Sequence, residues 1–372
     1  MPNKENLNKA KTEKNDEFYT LYEDIEKEIN AYLDYNSQVF KDKVILCPCN
    51  DPQWSNFSKY FAHNFEKLGL KKLITTSYIS EPGHEGEESH TKAEKIPETG
   101  EQADVRGKIY TLTKNKGEKV GYMDIKWEYL EGNGDFRSRE LTQLRDEADF
   151  IITNPPFSLF REFVAWIIEA NKGFLVIGNI NCIAYKEIFP LLKEHKAWLG
   201  TGIGRWISGF AVPRGYDLYG TESWVSDDGK RIVSTNSCLW LTNIEHGKRH
   251  EPLPLMTTAD NIRFSKHKEV RNVGYKRYDN YDAIDVPFTD AIPSDYDGIM
   301  GVPLTFMDKF CPEQFEILGA AMSWSHCAMT EEQKKLVGYK DIKSSAGTKG
   351  YGIIDGVQKY HRILIRKVKN NG

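Results

Sequence analysis

The chain lacks the features that would place it in a membrane, on a secretion route or around a structural metal. No apolar run in its 372 residues approaches the length of a membrane span, and the Lys- and Asn-rich N-terminus has no apolar signal-peptide core. The six cysteines show no paired zinc spacing, although Cys47 and Cys49 are close together. We therefore expect free thiols in a reducing cytoplasm and no bound metal.

Neither sign of charge dominates the composition. The formal net charge is −4, with 28% charged and 40% hydrophobic residues, which is ordinary for a globular protein. The charge is uneven, since residues 334–372 contain ten Lys or Arg and two Asp. A basic tail on an acidic body favours local binding of phosphate, although a solvated face has the same composition.

The chain is organised around the run 149–157, Asp-Phe-Ile-Ile-Thr-Asn-Pro-Pro-Phe. Residues 150–152 predict a short buried strand, and the two prolines end it because neither can donate a hydrogen bond to a sheet. Pro155 pushes the preceding Asn154 towards extended geometry. Asn154 therefore comes at the carboxyl end of a strand, where open α/β sheets bind ligands.

The motif Asn154-Pro155-Pro156-Phe157 suits a planar amino group. The Asn154 carboxamide oxygen and the Pro155 carbonyl can accept the two hydrogens of an exocyclic NH2, and Phe157 can stack on the ring that carries it. The nitrogen lone pair then points out of the ring plane, towards an electrophile. The proton can leave after attack, so the motif needs no general base. The alternative is a proline-rich turn after a core strand, without chemistry of its own.

The tetrapeptide resembles the catalytic motif of S-adenosylmethionine methyltransferases that act on amino groups. The run 147–158, with Arg161-Glu162-Phe163 after it, resembles the EcoRI-type adenine-specific DNA methyltransferases. Further blocks with the same resemblance are 15–20, 49–52, 70–76 and 298–306, in this order over most of the chain. The resemblance implies transfer of a methyl group from S-adenosylmethionine to N6 of an adenine that is rotated out of duplex DNA.

The resemblance also implies which residues hold S-adenosylmethionine. Phe18, Tyr19 and Thr20 resemble the segment that closes over the methionine end of the cofactor. From the residues alone, an equally good interpretation is structural, with these residues stapling the start of a helix through aromatic core contacts. Asp135 resembles the contact to the cofactor's adenine amino group, with Phe136 beside that ring. Without the resemblance, an aspartate that only stabilises a turn is an equally good interpretation of Asp135.

The turn after the first predicted strand, Cys49-Asn50-Asp51, departs from the pattern of most methyltransferases, which have glycines there. In a doubly wound fold this turn lies where a nucleoside cofactor binds. It can still present backbone N–H groups and the Asp51 carboxylate to the methionine moiety. No acid follows the second predicted strand closely enough to serve the ribose, so that contact is unassigned.

Two further segments are candidates for contacts with the target base and DNA. The block 204–213 resembles the family segment that lines the target-base pocket, with Trp206 or Phe210 available for stacking. Lys276 and Arg277 lie between tyrosines, a mixture that contacts phosphates and unstacked bases. A tyrosine-rich packing surface explains the latter pair equally well.

The alternation of strand and helix patterns from Lys43 to Ile244 predicts an α/β fold, with a mixed sheet and helices on both faces. The resemblance makes this a Rossmann-like class I methyltransferase sheet. We expect residues 1–245 to form the catalytic domain that binds S-adenosylmethionine, with a surface insertion and hairpin at 79–127. The loop-rich C-terminal region, 246–372, is expected to recognise the DNA target.

We therefore expect a monomeric, cytoplasmic, bacterial or phage-encoded enzyme that methylates adenine in double-stranded DNA at a specific site. It would serve restriction–modification or act as an orphan, and a cognate restriction endonuclease is a candidate partner. One alternative is an enzyme that methylates RNA or a glutamine side chain with the same motif. The other is a DNA-binding protein that has lost catalysis.

Overall fold

The chain alternates between strands and helices over the residues that the computed structural model describes, which are 19–79, 106–114, 127–201, 207–212, 223–226, 229–234 and 237–368. In chain order the strands are β1 Tyr19–Thr20, β2 Val44–Cys47, β3 Lys72–Thr76, β4 Lys108–Thr113, β5 Glu128–Tyr129, β6 Phe150–Thr153, β7 Gly173–Asn179, β8 Trp198–Leu199, β9 Phe210–Val212, β10 Ser223–Val225, β11 Arg231–Val233, β12 Cys238–Thr242, β13 Ala283–Asp285, β14 Ile299–Pro303, β15 Phe315–Ala321, β16 Ile353–Ile354, β17 Val357–Gln358 and β18 Arg362–Lys367.

The α-helices are α1 Tyr22–Tyr35, α2 Asn56–His63, α3 Phe65–Leu68, α4 Arg139–Glu147, α5 Phe160–Glu169, α6 Phe189–Lys193, α7 Thr258–Phe264, α8 Ser325–Ala328 and α9 Glu331–Leu336. Short 3-10 helices cover Phe157–Leu159, Ile180–Ala184, Gly247–His250, Thr289–Ala291 and Leu304–Lys309. The described residues divide into two compact units, one within Met1–Ile180 and Gly200–Glu245 and the other within Asn181–Leu199 and His246–Gly372.

The first unit is built on a mixed sheet whose centre is parallel. Its strands lie in the order β5-β4-β3-β2-β6-β7-β12. The central strands β3, β2, β6 and β7 run parallel, whereas β4 and β12 are antiparallel to their neighbours β3 and β7. The chain leaves β2 towards β3 and leaves β6 towards β7, so the strand order reverses between β2 and β6. Their carboxyl ends are therefore adjacent at the point where open α/β sheets leave a crevice.

Both faces of this sheet are covered. Every residue of β2 is buried, which is the pattern of a strand with cover on both sides. Ile45 and Cys47 join a hydrophobic core with residues of α1 and α2, including Ile25 and Phe57. Helices α4 and α5 contact β2 and β7 and lie outside that core, so they cover the opposite face.

Strand β4 lies inside the segment expected as an insertion with a hairpin. Its residues Ile109 to Thr113 pair antiparallel with β3, and Tyr110 and Leu112 are buried, so β4 belongs to the central sheet. It also pairs with β5. The remainder of that insertion, 80–105 and 115–126, lies outside the described residues, so its surface position and the second hairpin strand stay predictions.

A second sheet in the first unit has the order β1-β9-β11-β10, with every neighbouring pair antiparallel. It joins the first described residues of the chain to the segment around residue 210. This pairing brings together two stretches that the sequence assigned to different ligands.

The second unit has a core of its own around a four-stranded sheet of order β13-β14-β18-β15. Tyr278, Tyr281, Ile299 and Leu364 are among the residues of this core. The region is rich in loops, as expected, but the sequence reading did not find its sheet. Across the described residues of both units, no helix is long and apolar enough to cross a membrane.

Candidate active site

The catalytic candidate Asn154 follows directly after β6, at the carboxyl edge of the central sheet. Pro155 is buried, and Pro156 is extended (φ −61°, ψ 120°) before the 3-10 helix that begins at Phe157 and leads into α5. The side chains of Asn154 and Phe157 are half-buried, and Phe157 packs against the hydrophobic core. The two prolines thus end the strand as expected and leave a half-buried amide and a half-buried aromatic ring at the carboxyl edge of the sheet.

A buried set of hydrogen bonds joins the turn after β2 to the residue that precedes Asn154. The Asn50 side chain donates through Nδ2 to the Pro48 carbonyl (2.8 Å) and to Thr153 Oγ1 (2.6 Å). Its Oδ1 accepts from the Ser55 hydroxyl (2.6 Å), and Thr153 Oγ1 donates to Pro48 O (2.5 Å). The Asn50 carboxamide is therefore committed to protein partners, and its geometry fits a positioning role.

Asp51 is the residue of this turn whose side chain still has an oxygen that can accept a hydrogen bond from a ligand. One carboxylate oxygen accepts the backbone N–H groups of Gln53 (2.8 Å) and Trp54 (3.2 Å), which fixes an Asx turn. The other oxygen, Oδ2, is buried and has no hydrogen-bond partner within the described residues. A buried carboxylate oxygen of this kind requires a donor that the described residues do not supply, and the ammonium group of a ligand would match it in charge.

Cys49 precedes these residues with a left-handed backbone (φ 59°). Burial of its thiol, together with the negative charge of Asp135, raises its pKa to about 12. The thiol therefore stays protonated at neutral pH and is a poor nucleophile. Any contact from Cys49 to a cofactor would come from its backbone or its neutral side chain.

The predicted cofactor segment and the predicted target segment pair with each other. Tyr19 lies opposite Ala211 and Thr20 opposite Phe210 in the antiparallel pair of β1 and β9. Asn56 Nδ2 donates to the Thr20 carbonyl (2.8 Å), which ties β1 to the start of α2. The hydroxyl of Thr20 is buried without a partner in the described part of the chain, so it can bind a ligand.

Phe210 is 1% exposed and belongs to the hydrophobic core, together with Ile207. A stacking role on the target base would require its ring to leave that core, so the structure offers this role no support. The other members of the two predicted segments, Phe18 and Trp206, lie outside the described residues, and their roles stay predictions.

Asp135 lies in a loop that crosses the end of β3. Gly134 (φ 83°) comes so close that a Cβ atom there would be 1.9 Å from the Ser77 carbonyl oxygen. The Asp135 carboxylate forms two hydrogen bonds with the Arg137 guanidinium (2.7 and 3.0 Å), which hold its pKa below the usual range. Asp135 is thus a charged group at the carboxyl edge, already paired with a cation that sequence reasoning had not considered.

Phe136 is 2% exposed and packs edge-on against Phe163 and Trp166. The Arg137 guanidinium lies 5.6 Å from its ring centroid. These contacts bury the Phe136 ring against two aromatic side chains of α5. A cofactor ring could therefore lie flat on Phe136 only if these side chains moved apart.

The comparisons with known proteins agree on one family. Residues 6–368 match the sequence model described as adenine-specific methyltransferase EcoRI. Type II methyltransferase M.EcoRI of Escherichia coli is 47% identical to this chain, covering 97% of the chain and 95% of that protein. Type II methyltransferase M.MpnI of Mycoplasma pneumoniae is 33% identical over 98% of both chains. No solved structure matches the chain.

The chain belongs to the EcoRI family of adenine-specific methyltransferases. The family expected from the sequence blocks is thereby confirmed, and so is the class of enzyme, an adenine-specific DNA methyltransferase. All six of the methyltransferase's cysteines are free, as expected. No group of three or more potential metal ligands occurs among the residues that the structure describes.

The two basic residues predicted to contact DNA are both neutralised within the second unit of the methyltransferase. Lys276 Nζ lies 3.0 Å from an Asp355 carboxylate oxygen, and Arg277 pairs with Asp282. Both pairs are exposed, where ion pairs are weak, so DNA could compete for the two cations. They are nevertheless poorer phosphate ligands than exposed cations without a partner.

Thr153 and Ser55 are the residues of the site that sequence reasoning missed. Both are buried, and both act through Asn50. The available signal was weak. Ser55 precedes a helical pattern as an N-cap, and its hydroxyl accepts from the Phe57 N–H (3.1 Å), but nothing local links either hydroxyl to Asn50.

Proposed function

We propose that this methyltransferase transfers a methyl group from S-adenosylmethionine to N6 of adenine in double-stranded DNA, with Asn154 as the central catalytic residue. The supporting observation is the position of Asn154, at the carboxyl end of β6 and beside the Asp51 turn that follows β2. A donor and a nucleophile bound at these two adjacent strand ends would meet in one crevice.

The Asn154 oxygen and the Pro155 carbonyl would accept the two N–H bonds of the target amino group, and Phe157 would stack on the adenine. A new bond would join N6 to the methyl carbon that S-adenosylmethionine supplies, and the electron pair of the broken carbon–sulfur bond would stay on sulfur. The nitrogen would then carry a positive charge and release its proton to water. Since an amide is too weak a base to take this proton first, Asn154 orients the nitrogen and does not activate it chemically.

S-adenosylmethionine supplies a methyl group that its sulfonium already activates. Asp51 Oδ2 is the best-supported contact to this cofactor, because a buried carboxylate oxygen without a donor fits the methionine ammonium. Thr20, with its buried hydroxyl, is a second candidate on β1. Tyr19 accompanies it, and Cys49 and Asn50 would shape the turn. Asp135 would reach the cofactor only with its carboxylate shared with Arg137.

The strand order supports a Rossmann-like class I methyltransferase sheet. Counted along the chain, the parallel strands and β4 have the order 3-2-1-4-5, as in doubly wound nucleotide-binding folds. The third of these strands, β4, is antiparallel, which is a departure from the fully parallel pattern. We assign the first unit to catalysis and the second to recognition of the DNA target, in a cytoplasmic and monomeric enzyme of a restriction–modification system.

Target adenines lie inside the duplex, so the base would have to rotate out to reach Asn154. The intact motif argues against a protein that has lost catalysis. Methylation of RNA or of glutamine uses the same planar NH2 chemistry, and the choice of substrate in the assay separates these alternatives.

The test compares Asn154→Ala with Asn154→Asp and wild type in methyl transfer from labelled S-adenosylmethionine to duplex DNA, RNA and protein. Asn154→Ala should lose most of its turnover on duplex DNA while binding the cofactor with nearly unchanged affinity. Asn154→Asp keeps an acceptor oxygen in place and should retain more activity. An alanine variant with wild-type turnover would refute the assignment of Asn154, and wild-type transfer to RNA or protein in preference to DNA would refute the substrate.

A further inference from the structure

Residues 262–274 of the second unit form a closed loop, called the basic loop below. It begins in the last turn of α7 and returns to it, because the Asn272 N–H donates to the Ile262 carbonyl (2.8 Å). Asn272 (φ 62°) and Gly274 (φ 84°) have left-handed backbones that make this return possible. The two ends of the loop are therefore held side by side.

The inner side of the basic loop is anchored. Val270 and Ser265 are buried, and the ring of His267 stacks on Phe288 at 3.6 Å between centroids. His267 Nε2 also lies 2.7 Å from an Asp290 carboxylate oxygen. These contacts fix the loop as a preformed surface, so binding a partner costs little conformational entropy.

The outer side carries positive charge and apolar area together. Arg263, Lys268 and Arg271 are exposed, and none of them has an ion pair within the described residues. Phe264 is 60% exposed and Val273 63% exposed on the same loop. Between residues 262 and 274 there is a single carboxylate, that of Glu269, and the remaining basic residue, Lys266, pairs with Asp290 (2.7 Å).

Elsewhere in this unit, many cations are already neutralised. The basic C-terminal stretch pairs Arg362 with Asp285, Arg366 with Glu316 and Lys367 with Asp297. Exposed cations that remain after residue 334 include Lys335, at the end of α9, and Lys340 and Lys343, which follow it with one carboxylate, Asp341, between them. The cations of the basic loop differ in lying on one segment whose ends are joined by the bond from Asn272 to Ile262. The basic residues of the C-terminal stretch are therefore less available to bind phosphate than the composition of that stretch indicates.

We propose that the basic loop binds the phosphate backbone of the DNA substrate through Arg263, Lys268 and Arg271. Three cations without ion pairs on a closed loop can each bind a phosphate, and the exposed Val273 and Phe264, whose ring centroid lies 4.9 Å from the Arg263 guanidinium, add contact area against the sugars. The proposal rests on duplex DNA being the substrate, as proposed above. The proposal assigns the contacts with the DNA phosphates to residues other than Lys276 and Arg277.

The test measures how affinity for a short duplex without a recognition site depends on salt. Each lost phosphate contact reduces the slope of log K against log salt by about 0.9, so changing all three residues to Gln should reduce it by about 2.7. Raising the salt from about 50 to 200 mM weakens binding by some factor, and for the variant this factor should be about 40 times smaller than for wild type. Fluorescence anisotropy with a labelled duplex gives both slopes.

The control is a charge-matched variant in which Lys335, Lys340 and Lys343 become Gln. Its slope should stay near the wild-type value, and both variants should bind S-adenosylmethionine normally by calorimetry. If the triple loop variant fails that check, the three single variants serve instead, each with an expected change of about 0.9. An unchanged slope in the loop variant, or equal changes in both triple variants, would overturn the proposal. A wild-type enzyme that neither binds nor methylates duplex DNA would instead overturn the proposed function.

Discussion

The hydrogen bonds of Asn50 give the sharpest expectation about catalysis. In Asn50→Ala, three buried bonds disappear, two donated to Pro48 O and Thr153 Oγ1 and one accepted from Ser55. At roughly 1 kcal/mol net for each bond, the free energy of unfolding should fall by about 3 kcal/mol. The loss is not larger because both hydroxyls keep another partner, the Pro48 carbonyl for Thr153 and a backbone N–H for Ser55.

The effect on turnover should exceed what this stability loss causes. Thr153 immediately precedes Asn154, so releasing its hydroxyl from Asn50 permits the Asn154 amide, to which we assign catalysis, to shift. A displacement of about 1 Å at a reacting group can cost about 100-fold in rate. We therefore expect kcat of Asn50→Ala to fall by about 10- to 100-fold at a temperature where the variant remains folded.

A double-mutant cycle with Thr153→Val isolates the bond between the two residues. Thr153→Val leaves the Asp51 turn unchanged, so it should lower kcat with little effect on the affinity for S-adenosylmethionine. The combined variant should lose less than the sum of the single losses, with a coupling of about 0.5–3 kcal/mol in transition-state energy. Single-turnover methylation and calorimetry provide the two readouts.

Asn64→Ala is the matched control, since its buried amide bonds Tyr60 O (3.0 Å) and Tyr22 Oη (3.4 Å) at a helix junction. With two bonds lost, Asn64→Ala should lose about 2 kcal/mol of stability and keep its kcat. Wild-type turnover in Asn50→Ala, or strictly additive effects of Asn50→Ala and Thr153→Val, would refute the positioning role.

Three further outcomes follow from the contacts described above. Asp51→Asn keeps the Asx-turn oxygen but removes the carboxylate charge, so calorimetry should show S-adenosylmethionine binding weakened by about 1–3 kcal/mol, and unchanged affinity would contradict the contact. Gly134→Ala should lower the free energy of denaturant unfolding by about 1–3 kcal/mol because of its left-handed backbone and its approach to Ser77 O, whereas Gly132→Ala, with no atom within 4 Å of its Cβ, should cost much less. Burial lowers the pKa of His361, so the stability that its neutral form contributes above about pH 6.5 is lost as the pH falls towards the folded-state pKa. Wild type should therefore lose more stability than His361→Gln between about pH 7.5 and 5.5, and equal losses would contradict the shift.

The central motif was predictable because its geometry is set locally. A β-branched run followed by two prolines can end a strand in only a few ways, and Asn154 had to follow it. The strands β2, β3, β6 and β7 were likewise visible as short apolar runs. Their adjacency followed from the alternation with helices, which favours a parallel sheet with the two critical turns at one edge.

The partners of the site residues were not predictable, because they are distant in sequence. Asn50 and Thr153 are separated by 103 residues, and either could have faced a ligand instead. The same limit applies to Lys276, whose partner Asp355 is 79 residues away. Phe210 was assigned to a base pocket because its segment resembles a family block, whereas in the structure β9 pairs with β1 and the ring lies in the core. Local patterns identify residue types suited to a role, while long-range contacts decide which of them are available.

The strand order reverses between β2 and β6, and the side chain of Asn50 links the ends of these two strands. The turn after β2 has no glycines, and it is held by the Asn50 side-chain bonds to Pro48 O, Thr153 Oγ1 and the Ser55 hydroxyl. Because the same side chain bonds Thr153, the turn that offers Asp51 and the strand that offers Asn154 are fixed relative to each other. We therefore expect a change in one of them to affect the other. This coupling suits a reaction in which the enzyme contributes alignment of two bound groups and no acid or base.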